Sequence, residues 1–83
     1  MPLQPYWWIN VMAQLRETVA PKWRRILEAA EVSLLDGVLQ IRIRDADPEV
    51  MDARFTRTIQ NAMLVHFEDR LQVEFVSAET EPA

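Results

Sequence analysis

The sequence predicts an α+β fold, a two-layer α/β sandwich in the order α-α-β-β-α-β with helices on one face of a three-stranded sheet. Three observations predict it. Apolar residues recur at helical spacing in three stretches, Asp36-Gly37 joins two strand-like segments, and a third alternating segment follows the last helical one. Each helical stretch has an apolar stripe to bury and the sheet has one dry face to receive it, which makes two layers.

Pro2 and Pro5 mark an irregular lead-in. Trp8, Val11, Met12, Leu15 and Val19 then form the stripe of a first helix, which Pro21 ends. Pro21 also suits the first turn of a short second helix that turns Trp23, Ile26, Leu27 and Ala30 inward. Asp36-Gly37, between residues 32–35 and 38–44, predicts a tight antiparallel hairpin because Gly accepts positive φ. Leu39, Ile41 and Ile43 alternate with Gln40, Arg42 and Arg44, so one sheet face is dry and the other wet. Asp47-Pro48-Glu49 reads as an N-cap, a first-turn Pro and an acid at the positive end of the helix dipole. The third helical stripe runs through Met51, Phe55, Ile59, Ala62, Met63 and His66. Glu68-Asp69-Arg70 makes a polar turn before residues 71–76, which alternate as a third strand. The pattern leaves open whether that strand lies beside the second or the first. Residues 1–76 are expected to form a single interaction domain, and 77–83 an acidic tail or linker start.

At 83 residues the chain is long enough for one core and too short for two, and 49% hydrophobic with 27% charged residues is an ordinary globular balance. Without Cys there is no disulfide, thiolate nucleophile or cysteine-built metal centre, and a reducing, cytoplasmic compartment fits best. One Gly is too few for a phosphate-cradling loop, and one His provides neither an acid–base dyad nor a metal cluster. These absences point away from an enzyme and away from any cofactor. A net charge of −4 argues against generic nucleic-acid binding, whose affinity comes chiefly from Lys and Arg. No apolar run approaches the roughly 20 residues that span a bilayer, so no membrane association is expected.

The residues that carry this element order resemble a family of bacterial replication domains with a K-homology-like fold. Trp8-Ile9-Asn10-Val11-Met12-Ala13-Gln14-Leu15, the hairpin from Leu35 to Ile41 and Leu71-Gln72-Val73-Glu74-Phe75-Val76 are similar to the N-terminal domain (domain I) of the initiator DnaA. The stretch from Trp8 to Ile43, above all Ile26-Leu27-Glu28-Ala29-Ala30-Glu31-Val32, is similar to the C-terminal, polymerase-binding domain of the DNA polymerase III clamp-loader tau subunit. In place of the Phe-x-x-Trp-Leu-like run of DnaA domains this chain has Trp23-Arg24-Arg25-Ile26-Leu27, whereas its acidic, Pro-containing end fits DnaA better than tau. The resemblance implies a non-catalytic module of DNA replication. Its implied partners are a helicase, initiator regulators or a polymerase subunit, and a DnaA-like domain also implies a homodimer through the first helix.

Trp7 and Trp8 point about 100° apart on a helix, so with Trp8 in the stripe, Trp7, Asn10 and Gln14 are expected at the surface, Trp7 either as a partner anchor or as a cap on the edge of the sandwich. Asp45, Asp47, Glu49 and Asp52 crowd the start of the third helix beyond what capping needs and suit a basic partner. Arg16, Lys22, Arg24 and Arg25 cluster where the first two helices meet and suit phosphate or an acidic partner, although no aromatic platform accompanies them. Arg42 and Arg44 are placed to pair with Glu74 if their strands are neighbours. His66, alone at a helix end, is given no catalytic role. A K-homology-like single-stranded nucleic-acid-binding module is the alternative function, set against weak or no nucleic-acid binding because a Gly-x-x-Gly clamp is missing.

Overall fold

The computed structural model describes residues 4–64 and 71–78; His66, the polar turn at 68–70, Pro2 and most of the expected tail lie outside them. The elements are α1 (Trp8–Leu15), α2 (Pro21–Glu28), β1 (Glu31–Leu35), β2 (Val38–Ile43), α3 (Pro48–Met63) and β3 (Gln72–Ser77). The chain therefore has the predicted order, and the helices pack on one face of the sheet.

The strands run β1-β2-β3, with β1 antiparallel and β3 parallel to β2. This settles the question left open by the pattern: the crossover through α3 returns the chain beside β2. Ile41 sits at the centre, opposite Val32 on one side and Phe75 on the other, and is fully buried. The dry face also presents Leu39, Ile43 and Val73, against which α1 lays Trp8, Val11, Met12 and Leu15, and α3 lays Met51, Phe55, Ile59 and Met63.

Asp36 and Gly37 both have positive φ, 51° and 76°, the conformation that a two-residue hairpin matched to strand twist requires. The Gln72 N–H then donates to the Gly37 carbonyl at 3.1 Å, which ties the start of β3 to the turn. Asp47 caps α3, its Oδ1 accepting from the Glu49 N–H at 2.9 Å, with Pro48 in the first turn.

Four local expectations change. α1 stops at Leu15, yet Val19 is buried: Ala20 is extended (ψ 148°) because it precedes Pro21, and the Leu15 carbonyl takes the N–H groups of Thr18 and Val19 in a turn that folds Val19 inward. Trp23 and Ile26 are half-buried where core positions were expected, since α2 lies at the margin of the helical layer. Ser77, placed at the start of the tail, is the last residue of β3, paired with Ile43. Arg42 faces Glu31 and Val76, so Glu74 lies opposite Gln40, whose Nε2 donates to it at 3.4 Å; no Arg42–Glu74 ion pair forms among the described residues.

Candidate protein-interaction surface

α1 and α2 are joined by hydrogen bonds as well as by packing. Trp8 is fully buried, and its indole Nε1–H donates to the Leu27 carbonyl at 3.2 Å. Gln4 Nε2 donates to the carbonyls of Glu28 and Ala30 at 2.6 and 2.7 Å. Together they occupy carbonyls at the C-terminal end of α2, where helix bonds run out. Between the two helices runs a groove of about 330 Å³, floored by Met12 and Trp8 and flanked by Ile9, Ala13, Arg16 and Arg24.

Trp7 is half-buried and packs against the core, its ring edge-to-face with Trp8 at 6.3 Å and 74°. The large exposed apolar side chains here are instead Tyr6, 86% exposed, and Ile9, 70% exposed. Trp7 and Ile9 both lie about 100° from Trp8, each one turn before a buried residue, Val11 and Met12, so spacing does not rank them and the packing of α1 against its neighbours decides which is covered. Asn10 and Gln14 are exposed on α1, as expected.

The basic cluster divides. Arg24 Nη1 donates to the Arg16 carbonyl at 3.3 Å and Arg24 Nε pairs with Glu28 at 3.3 Å, which places Arg16 and Arg24 at the groove. Lys22 Nζ instead stands 4.9 Å from the centroid of Trp23, a ring it shares with Arg54 of α3 at 5.2 Å, while Arg25 is exposed. An aromatic under two cations thus exists where none was evident. Arg54 lies far from Trp23 in sequence, and only the docking of α2 near α3 joins them.

Asp45, Asp47, Glu49 and Asp52 are all exposed at the entry to α3. Asp47 serves as the cap, Asp52 accepts from Thr56 Oγ1–H at 2.6 Å, and Asp45 has a left-handed φ of 60°. Among the described residues, no group of His, Cys, Asp and Glu is arranged to hold a metal ion, and no helix is long and apolar enough to cross a membrane. No family model matches the chain, and no curated protein is significantly similar to it.

Proposed function

We propose that this chain is a non-catalytic protein-interaction module of bacterial DNA replication, acting in the cytoplasm through its α1–α2 surface. One observation carries the interaction role: Ile9 stands exposed on a groove whose two helices are hydrogen-bonded together, with Tyr6 exposed just before α1. An apolar side chain held out by a rigid frame can bury area in a partner at little conformational cost. The role in replication rests on the resemblance to DnaA domain I and to the tau C-terminal domain, which makes a replicative helicase, an initiator regulator or a polymerase subunit the partner. Self-association through α1 is the DnaA-like form of the same reading.

A second reading, single-stranded nucleic-acid binding, is favoured by Trp23 with Lys22 and Arg54 against its ring. The two separate by titration. The purified chain should bind a replicative helicase, a polymerase subunit or a second copy of itself in sedimentation and interferometry. Ile9→Arg should weaken that binding about 30-fold, a hot-spot loss of ~2 kcal/mol, with an unchanged circular dichroism spectrum. Binding of single-stranded DNA with a steep salt slope, together with indifference to every replication protein, would establish the second reading in its place.

A further inference from the structure

The sheet has two edges, and β3 forms the one beside α3. Among the described residues no strand pairs with its outer side, so alternate N–H and C=O groups of Gln72–Val76 face outward. Proteins usually guard such an edge with Pro, Lys or a bulge, and Gln72-Val73-Glu74-Phe75-Val76-Ser77 holds no Pro and no cation. A groove of about 340 Å³ separates this strand from the first turns of α3. Its floor is Val73 and Phe75, its helix side carries the carboxylates of Glu49 and Asp52 with no basic residue in the lining, and Glu74 projects from the same strand onto the open face of the sheet, where it accepts from Gln40.

We propose that the β3 edge binds an extended, basic segment of a partner protein, which adds as a fourth strand along the α3–β3 groove. Main-chain hydrogen bonds to β3 supply the affinity of such a mode, and side chains on alternate faces supply its specificity. Residues of the incoming strand on the helix side meet Glu49 and Asp52, and those on the open side meet Glu74, so Lys or Arg suits both faces. Charge rejects the other occupants. Antiparallel pairing of two β3 edges would bring like carboxylates together, and the chain's own segment after β3 bears Glu79 and Glu81. A phosphate backbone or an anionic lipid surface is repelled by the same three acids. This surface is separate from the α1–α2 groove and stands whether or not that groove has a partner.

The test uses the whole chain and three octapeptides: alternating Lys and Val, alternating Glu and Val, and the Lys-Val peptide with every second amide N-methylated. Amide spectra should show the Lys-Val peptide shifting Gln72–Ser77 and slowing their hydrogen exchange, while the acidic and N-methylated peptides bind at least tenfold more weakly. Glu49→Gln with Asp52→Asn should weaken the Lys-Val peptide about tenfold, an effect that fades as salt is raised. Equal binding of the N-methylated peptide would reduce the surface to bare charge and overturn strand addition. So would silence of Gln72–Ser77 at millimolar peptide, or amide protection there from a dimer without any peptide. Ile9→Arg leaves this titration unchanged if the two surfaces are independent; its loss in that variant alone would overturn the separation argued above.

Discussion

The α1–α2 groove and the α3–β3 groove are close in volume, about 330 and 340 Å³, but are built on different physics. The first is made of side chains on two helices. Arg24 is already engaged locally, with Glu28 and with the Arg16 carbonyl, and the groove's distinguishing feature is exposed apolar surface at Ile9. The second borders a strand whose main chain is half-paired, and its distinguishing feature is one sign of charge, from Glu49 and Asp52 on the helix side and Glu74 on the open face of the strand. A helix pair offers shape and apolar area, because helix backbone bonds are satisfied internally. A sheet edge offers the backbone itself, so it can recognise an extended segment with little dependence on that segment's exact side chains.

Removing Ile41 should abolish the contrast between the two, because β2 supports both. Ile41→Ala is expected to cost ~2–5 kcal/mol, since a fully buried side chain at the centre of the sheet leaves a cavity bounded by Val32 and Phe75. Thermal denaturation should show the midpoint falling by more than ~8 °C, and an unchanged midpoint would refute the register that puts Ile41 between those two strands.

Trp8→Phe should sharpen it. The variant keeps an apolar ring but removes the indole donor to the Leu27 carbonyl, which retains the Ala30 N–H at 3.3 Å, so the lost bond is worth about 1 kcal/mol. Exchange of amides at the end of α2 should accelerate while those of β3 do not; uniform acceleration would mean that the bond serves the whole fold rather than the first groove.

Asp47→Ala is the third change. Losing the bond to the Glu49 N–H should cost about 1 kcal/mol and fray the first turn of α3, which positions Glu49 and Asp52. Urea titration should register the loss, and binding at Ile9 should be untouched. A larger effect at the α1–α2 groove than at β3 would reverse the comparison.

Much of the frame was legible from spacing alone. The hairpin at Asp36-Gly37, the cap at Asp47 and the buried stripe of Trp8, Val11 and Leu15 are properties of short segments, in which one residue's neighbours in sequence are also its neighbours in space. The same holds for the acidic entry to α3 as a cluster. Which acids matter together was not legible: Glu74 joins Glu49 and Asp52 only because β3 returns beside β2 under α3. Arg54 reaches Trp23 only because α2 docks near α3, and Trp7 folds over the core because α1 is set at one particular rotation against its neighbours. Periodicity reports which side of one element is dry. Where two dry sides meet, and therefore which wet side chains end up sharing a groove, is set by packing between segments tens of residues apart, whose relative rotation no local pattern encodes.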